Sequence, residues 1–358
     1  MARDTDGFTG FGSTWRAGGN WGFLFMVDAL LLLTGFVVLL SGGELLVRGS
    51  VRIAQIAGMS PLLIGLTLVG FGTSAPELVT SVQAAMAGSP GIAIGNIVGS
   101  NIANIMLILG VAAALSPMLV ATNALYRDGM IVLLSAIIFN GIGIFLPLSR
   151  PVGAVLLMML LAYLYYAYRQ ERTVARPEGH TAAYDRAEAR EDVHAVNGPL
   201  EGRGRTVLRT DVMAALLVAV GGIVLVIIGG KLLVEAAVSV ARTYNVSEAV
   251  IGLTIISVGT SMPELATSAV AAIRKHSDVA LGNIMGSNLY NTFGIGGATG
   301  LLSPTIIPDE IVRYDNLVML GATIAMLFMA RTEFRLSRLE GLALLSCYAI
   351  YLYTLLPK

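Results

Sequence analysis

Long apolar stretches separated by short polar connections run along this chain from Trp21 almost to its end. A helix needs about 20 mostly apolar residues to cross a bilayer. The pattern predicts ten such helices, in two groups of five on either side of a hydrophilic stretch. Their predicted positions are 22–47, 60–87, 91–116, 128–148 and 151–168, then 211–241, 248–273, 278–302, 313–330 and 338–356.

The polar segments divide the chain into four parts. Residues 1–21 form a Gly-rich tail, 22–168 the first five-helix group, 169–209 a linker of mixed charge, and 210–358 the second group. The first apolar run continues past Leu40 without a small-residue cleavage site, which favours a spanning helix over a signal peptide. The predicted fold class is therefore an all-α polytopic membrane protein.

Composition supports an environment of lipid. Hydrophobic residues make up 55% of the 358 positions and charged residues only 13%, with a mean hydropathy of +0.76. Soluble proteins contain about 25% charged residues. The formal net charge is zero and no basic stripe is present, so nucleic acid is not an expected partner. The single cysteine and the three histidines form no metal-ligand spacing.

The placement of Lys and Arg predicts the orientation. With the N-terminus outside, 16 of these residues fall in inside connections and 6 in outside ones. Positive residues concentrate on the cytoplasmic side. We therefore expect both termini outside the cell (inner) membrane and residues 169–209 in the cytoplasm. Because each group has five helices, an odd number, the two groups are expected to insert with opposite topology.

A 46-residue segment occurs twice, at 65–110 and 252–297, with a constant offset of 187 residues. The two copies share 23 identical positions without gaps. Both contain the motif GTSxPEL followed by GNxxGSN. Duplication on this scale is typical of secondary transporters, whose binding site lies between two repeats near the bilayer midplane.

The first motif places a glutamate, Glu77 or Glu264, in the middle of an apolar stretch. The nearby glycine and proline weaken the helix, so the carbonyls near Gly70–Thr73 and Ser257–Thr260 are expected to lose their helical partners, and a dehydrated cation can satisfy them. Ser74 and Ser261 precede these glutamates by three residues, so a capping box is the alternative. A carboxylate at the bilayer centre costs about 2.5 kcal/mol or more, judged from aspartate. Two of them at equivalent positions favour a shared cation site.

The second motif adds neutral oxygen atoms and small residues. Ser100 and Asn104 lie one turn apart on one helix face, as do Ser287 and Asn291, and are expected to face the glutamates. Glycines four residues apart predict close helix approach. The other four motif asparagines have two possible roles, and both stay open. They could contact an ion, or they could have a structural role, bonding neighbouring helices or capping broken ends. These residues are Asn96, Asn101, Asn283 and Asn288.

Outside the motifs, Glu44 and Arg48 are four residues apart on the first helix. Their counterparts at the 187-residue offset are Lys231 and Glu235, with the charges exchanged. Each pair can close a salt bridge within its helix. A structural or gating ion pair is favoured over an ion ligand.

The two motifs at a fixed offset resemble the alpha-repeats of the cation/Ca²⁺ exchanger superfamily, in particular its prokaryotic Na⁺/Ca²⁺ exchanger branch. The resemblance covers nearly the whole chain. It implies ten helices as two inverted five-helix repeats, broken at the ion site. It also implies an antiporter rather than an enzyme, with Ca²⁺ and Na⁺ as transported ions and no cofactor. A monomer is one possible state, and the sequence leaves the oligomeric state open.

The resemblance also implies ligands. Ca²⁺ would be chelated by Glu77 and Glu264 with the carbonyls of Thr73 and Thr260. Na⁺ would add four hydroxyls and two carbonyls, and two asparagines would close the middle of the site. These positions are Ser74, Ser100, Ser261 and Ser287, the carbonyls of Gly70 and Ser257, and Asn104 and Asn291. Some relatives have aspartate at the position of Asn291, so this site has two carboxylates and leaves the ion stoichiometry open.

Three other functions compete with Na⁺/Ca²⁺ exchange. An H⁺/Ca²⁺ antiporter could use the same glutamates, although several hydroxyl and amide oxygens favour Na⁺, which needs more ligands than a proton. An intramembrane hydrolase would call for aspartates and a water-activating arrangement. A channel fits poorly, because paired buried charges bind divalent ions too tightly for rapid conduction.

Overall fold

The computed structural model describes residues 21–56, 74–120, 125–173, 209–244, 246–273, 275, 277–332 and 334–356. These residues are almost entirely helical. Among them, six helices are long and apolar enough to cross a membrane, or seven if one bent pair counts as a single span. Together with large exposed apolar side chains such as Leu161 and Leu217, this indicates a multi-pass membrane protein.

The helices are numbered here in chain order. In the first half they are α1 (Trp21–Ile56), α2 (Ala75–Met86), α3 (Pro90–Leu115), α4 (Leu125–Phe145) and α5 (Arg150–Thr173). In the second half they are α6 (Arg209–Tyr244), α7 (Glu248–Thr260), α8 (Met262–Ile273), α9 (Ser277–Leu289, Tyr290–Ile295 and Gly296–Leu302 in succession), α10 (Ile311–Arg331) and α11 (Arg338–Leu355). Two short strands complete the set, β1 (Met118–Leu119) and β2 (Arg335–Leu336).

The helix bounds differ from the sequence expectation in two places. Helix α1 continues to Ile56 rather than ending near residue 47. The span expected at 248–273 is two helices, α7 and α8, whose axes differ by 50°. The span expected at 60–87 is described only from Ser74 onward, because residues 57–73 lie outside the described part.

Helices α3 and α9 each contain a π-helical segment. These segments are Ala103–Leu109 and Tyr290–Ile295, and their first residues are 187 positions apart. A π turn holds about one more residue than an α turn and is frequent at functional sites. Three further π-helical segments occur among the described residues, in α4, α7 and α10. Asn104 and Asn291 are the second residues of the two segments. The irregular backbone therefore coincides with the second sequence motif in both copies.

Helices α1 and α6 cross through glycines. A Cβ atom on Gly42 would lie 2.6 Å from the backbone nitrogen of Val226, and one on Gly229 would lie 2.4 Å from that of Leu39. The further contacts are Gly35 with Leu233, Gly49 with Ala219 and Gly222 with Leu46. Contacting residue numbers rise in α1 as they fall in α6, so the two helices run antiparallel. The contacts also come in equivalent pairs, since 229 − 42 and 226 − 39 both equal 187.

Short backbone pairings join the two halves beyond the helices. Strands β1 and β2 are antiparallel, with Met118 opposite Leu336. A second antiparallel bridge joins Leu148 to Thr305. Thr305 is the 187-residue counterpart of Met118. The connection after α3 thus pairs with the connection before α11, and the connection after α4 pairs with the connection after α9. In neither case are the two paired connections equivalent by the 187-residue offset.

Both expected ion pairs form. Arg48 Nε lies 2.6 Å from Glu44 Oε1, and Lys231 Nζ lies 3.8 Å from Glu235 Oε1. The Lys231 and Glu235 side chains are 71% and 61% exposed. They lie on the outer surface of α6, away from the buried motif glutamates.

Candidate ion-binding site

The backbone turns sharply at the serine of each GTSxPE motif. Ser261 has φ −85° and ψ 7°, and Ser74 has φ −88° and ψ 6°. These nearly identical angles lie in the sparsely populated bridge region. A proline follows two residues later in each copy and supplies no N–H to the preceding turn. The expected helix break is confirmed at Ser261, between α7 and α8. At the first motif α2 begins directly after Ser74, and the residues before Ser74 lie outside the described part.

The proline does not free every carbonyl near the break. The N–H of Ser261 donates to the carbonyl of Ser257 at 3.1 Å, so this carbonyl keeps a helical partner. The expectation that carbonyls from 257 to 260 lose their partners is wrong for Ser257. A carbonyl oxygen has a second lone pair, so Ser257 remains able to accept from an ion as well.

The capping-box alternative does not form at Ser74. This residue precedes the first turn of α2, yet its side chain makes no capping hydrogen bond. A complete capping box occurs instead at Ser337 and Glu340, at the start of α11. The position of Glu77 is therefore not explained by helix capping.

Both motif glutamates are buried. Glu77 is 2% exposed and Glu264 is 3% exposed. The hydroxyl of Ser261 donates to Oε1 of Glu77 at 3.1 Å, so a residue of the second motif contacts the carboxylate of the first. A buried carboxylate needs compensation by a proton, a cation or several donors. Residues of the two copies therefore meet at Glu77.

The asparagines at 96 and 283 hold the glutamate-bearing helices. Nδ2 of Asn96 donates to the carbonyl of Glu77 at 3.2 Å and to Oγ of Ser81 at 2.9 Å. Nδ2 of Asn283 makes the equivalent bonds, to the carbonyl of Glu264 at 3.4 Å and Oγ of Ser268 at 2.8 Å. Of the two interpretations left open by the sequence, bonding to a neighbouring helix is the one that these two residues show.

Asparagines in and just before the π-helical segments make hydrogen bonds between the two halves. Nδ2 of Asn104 donates to Oδ1 of Asn288 at 2.9 Å, and Nδ2 of Asn101 donates to Oγ1 of Thr292 at 3.2 Å. The second bond has no counterpart in the other half, because Ile105 stands at the position equivalent to Thr292.

Several buried oxygen atoms of the second motif make no hydrogen bond within the described part of the chain. They are Oδ1 of Asn101, Asn104 and Asn291, and Oγ of Ser287. Each of these residues is no more than 2% exposed. Buried oxygens without donors are costly. Carbonyl, hydroxyl and carboxylate oxygens are the ligands that hard cations prefer.

Four of the predicted ligand residues lie close together. Glu77, Ser261, Thr260 and Ser100 come together around Asn96, because Oγ1 of Thr260 and Oγ of Ser100 lie 3.2 and 3.5 Å from its Oδ1. Among the described residues, no group of three or more His, Cys, Asp or Glu side chains is placed to hold a metal ion. Carboxylates supply only part of the oxygen at this site. The expected carbonyl ligands Gly70 and Thr73 lie outside the described residues.

Close helix packing fixes the position of α3. A Cβ atom on Gly95 would lie 2.8 Å from the carbonyl oxygen of Ala249, and one on Gly99 would lie 2.7 Å from the Cα of Leu253. Both contacts are with α7, the helix that ends at the break before Ser261. The close helix approach expected for these two glycines is confirmed. It holds α3, which carries the second motif of the first half, against α7, which leads into the first motif of the second half.

Comparison with known proteins agrees with this geometry. The family model described as sodium/calcium exchanger protein matches residues 27–169 and again 214–356, and both limits of the two matches differ by 187. The chain belongs to the sodium/calcium exchanger family. The two matched regions together cover well over half of the sequence, so the duplication extends beyond the 46-residue segment.

Two curated relatives of this exchanger are similar over nearly their whole length. It is 33% identical to the sodium/calcium exchanger MaX1 of Methanosarcina acetivorans over 92% of this chain and 98% of that protein. It is also 33% identical to the putative antiporter CaxA of Alkalimonas amylolytica, over 92% of this chain and 99% of that protein. Both names support an exchanger of cations for Ca²⁺, and the family is one of transporters.

Solved structures of the sodium-calcium exchanger NCX_Mj have a similar fold. In the form soaked with Na⁺ and Sr²⁺, the TM-score is 0.58 and the identity is 30%, covering 93% of this chain and 99% of that one. In the form soaked with zero Na⁺ and Ca²⁺, the TM-score is 0.57 and the identity 29%, over 92% and 99%. This exchanger is therefore placed in the prokaryotic Na⁺/Ca²⁺ exchanger branch.

Sequence reasoning missed one buried pair in each half. The hydroxyl of Tyr163 donates to Asp128 at 3.3 Å, joining α5 to α4, and that of Tyr351 donates to Asp315 at 2.8 Å, joining α11 to α10. Both aspartates are at most 3% exposed. Their numbers differ by 187, so extending the repeat beyond the 46-residue segment would have found them.

Proposed function

We propose that this exchanger transports Na⁺ in one direction and Ca²⁺ in the other by alternating access, driven by the Na⁺ gradient. The main support is the pair of buried glutamates at two helix breaks, with Ser261 bonded to Glu77 and neutral oxygens without donors nearby. A dehydrated cation would compensate both the carboxylate charge and these oxygens.

The transported ions share the same ligands in this proposal. Ca²⁺ binds both glutamates and the carbonyls of Thr73 and Thr260. Na⁺ uses the glutamates with the motif serines, the carbonyls of Gly70 and Ser257, and Asn104 and Asn291. Because both ions need the same two carboxylates, binding one excludes the other. That exclusion couples the movements of the two ions, since the site can carry either load but not both.

The proposed architecture is ten spanning helices in two inverted five-helix repeats. The antiparallel crossing of α1 and α6, which are equivalent helices, supports opposite insertion of the two halves. The backbone pairing of Met118 with Leu336 supports it too. With opposite topology, the connection after α3 lies on the same side of the membrane as the connection before α11. With the same topology, those connections would lie on opposite sides.

A flux experiment tests the driving ion. In proteoliposomes without a pH gradient, an imposed Na⁺ gradient should move Ca²⁺, and Na⁺ on the Ca²⁺ side should raise the apparent KM for Ca²⁺. Acid should slow transport by protonating the glutamates. If Ca²⁺ moves only with a proton gradient and ignores Na⁺, the protein is an H⁺/Ca²⁺ antiporter and the Na⁺ ligands are wrong.

A further inference from the structure

We infer that Asn96 and Asn283 are positioning residues that set the orientation of the two motif glutamates without binding the transported ion. This inference rests on the proposed function for the identity of the ions. Its structural basis is the same pair of hydrogen bonds in both halves.

The amide orientation of Asn96 is fixed by chemistry. Its side chain faces the carbonyl oxygen of Glu77, which can only accept a hydrogen bond. The group that faces this carbonyl must therefore be the NH₂, and its second hydrogen is directed to Oγ of Ser81 at 2.9 Å. Both donors are used on α2, at positions four residues apart on one helix face.

These two bonds act on the residue that carries the carboxylate. Glu77 and Ser81 bracket the first complete turn of α2, immediately after the break at Ser74. A helix end next to a break lacks a preceding turn to define its rotation. Two bonds from α3 to one face of that turn fix the rotation, and with it the direction in which the Glu77 side chain leaves the helix.

The oxygen of Asn96 faces two hydroxyl groups. Oγ1 of Thr260 lies 3.2 Å from it and Oγ of Ser100 lies 3.5 Å from it. Oγ1 of Thr260 also lies 3.0 Å from the carbonyl oxygen of Ile256. Thr260 is the last residue of α7, and the next residue, Ser261, donates to Glu77. Asn96 thus connects three helices around the site, and its side chain is 0% exposed.

In the second half, Asn283 on α9 makes the same two donor hydrogen bonds. Its bonds to Glu264 and Ser268 differ from those of Asn96 by no more than 0.2 Å. Asn101 differs from both, although it lies only five residues after Asn96 on α3. Its Oδ1 accepts no hydrogen bond within the described residues, and its nitrogen is bonded to a hydroxyl.

A carboxylate substitution separates positioning from ion binding. An ion ligand changed from Asn to Asp keeps its oxygen and gains charge, so Ca²⁺ binding should hold or tighten. In Asn96→Asp both donors are lost and a negative charge faces the carbonyl of Glu77. We expect Ca²⁺ and Na⁺ to bind about a hundredfold more weakly, from two neutral hydrogen bonds at up to tenfold each. Asn283→Asp should behave alike.

Asn101→Asp is the matched control. It adds the same charge to the same helix, and the Thr292 hydroxyl can turn to donate to the new carboxylate. This variant should bind Ca²⁺ at least as tightly as the unsubstituted protein. Equal losses in Asn96→Asp and Asn101→Asp would overturn the inference, because added charge alone would then explain them. Retained binding in Asn96→Asp would overturn it as well.

Ser81→Ala covers the case in which Asn96→Asp does not fold. It removes one of the two acceptors and should weaken binding of both ions about three- to tenfold. Amide hydrogen exchange in the first turn of α2, measured without ions, should be faster in Ser81→Ala and Asn96→Asp than in Asn101→Asp. If the unsubstituted protein binds no Ca²⁺, the proposed function fails, whereas the exchange measurement still tests Asn96. Unchanged exchange in all three variants would overturn the positioning role.

Discussion

The hydroxyl of Ser261 donates to the carboxylate of Glu77 at 3.1 Å, although the two residues are 184 positions apart in the chain. Each belongs to a different copy of the same motif. The carboxylate of the first copy is therefore contacted by the serine at the helix break of the second copy. A substitution in either copy should consequently affect the whole site rather than half of it.

Removing either motif carboxylate should abolish Ca²⁺ transport while the protein stays folded. Glu77→Gln or Glu264→Gln removes one of two charges opposing Ca²⁺ in a poorly screened site. Two unit charges 4 Å apart attract by about 4 kcal/mol at an effective dielectric constant of 20, which already corresponds to roughly a thousandfold in affinity, and Ca²⁺ carries two charges. Ca²⁺ flux in proteoliposomes and size-exclusion profiles measure both parts of this expectation.

Glu340→Gln is the control for the glutamate variants. Glu340 belongs to the capping box of α11, which glutamine can also complete, so this variant should change stability by less than about 1 kcal/mol and leave transport intact. Wild-type Ca²⁺ flux in purified Glu77→Gln or Glu264→Gln would contradict the assignment of the site.

Neighbouring glycines on α6 should respond in opposite ways to alanine. A Cβ on Gly222 would lie 2.4 Å from the backbone nitrogen of Leu46, whereas one on Gly221 meets nothing within 4 Å. Gly222→Ala must separate α1 from α6 and should cost about 1–3 kcal/mol. Gly221→Ala should be neutral or stabilise by up to about 1 kcal/mol, because alanine favours helix.

Thermal unfolding in detergent measures this difference. Gly35→Ala should resemble Gly222→Ala, since the two positions are equivalent and Gly35 lies against Leu233 as Gly222 lies against Leu46. A higher unfolding temperature in Gly222→Ala than in Gly221→Ala would show that the crossing is not this close.

The two buried tyrosine–aspartate pairs should differ in their sensitivity. Asp128 also has an ion pair with Arg127 at 2.9 Å, whereas Asp315 makes no ion pair within the described residues. Tyr351→Phe should therefore lower the free energy of unfolding by about 1.5–3 kcal/mol, the contribution of a hydrogen bond to a charged group. Tyr163→Phe should lower it by less. Unfolding temperatures compare the two, with the exposed Tyr353→Phe as control. Equal shifts in the two buried variants would mean that Arg127 does not compensate Asp128.

Single cysteines test the proposed orientation. In a Cys347→Ala background, Ala189→Cys in the linker should be protected from impermeant thiol reagents in intact cells. Gly10→Cys in the tail should be labelled, because the positive residues place the N-terminus outside. The reverse pattern would show the opposite orientation, and it would leave the inverted arrangement of the halves untouched.

The sequence predicted the parts of this structure that depend on short patterns. The breaks at Ser74 and Ser261 followed from proline in an apolar stretch, and the buried glutamates followed from charge in the same place. Close packing at Gly95 and Gly99 followed from their four-residue spacing. Each of these inferences needs only neighbouring residues, because one helix turn or one missing N–H determines the outcome.

Other features depend on which helices meet. The π-helical turns at Asn104 and Asn291 have no local signal in the sequence. Asn96 could have been a ligand by composition, and only the position of the Glu77 carbonyl decides otherwise. In the sequence, Tyr163 and Tyr351 are two tyrosines within apolar stretches. Their role follows only from the packing of α5 and α11, which puts each hydroxyl next to a buried aspartate. Tertiary contact, rather than propensity, determines these roles.

The glycine contacts between α1 and α6 have an evolutionary consequence. The surface that α1 presents to α6 is the same surface that α6 presents to α1, as between the subunits of an isologous dimer. A single ancestral half, inserted in both directions, would already have recognised its own copy. Joining two such halves in one chain would add no new α1–α6 interface; it would only raise the local concentration of a partner that already fits.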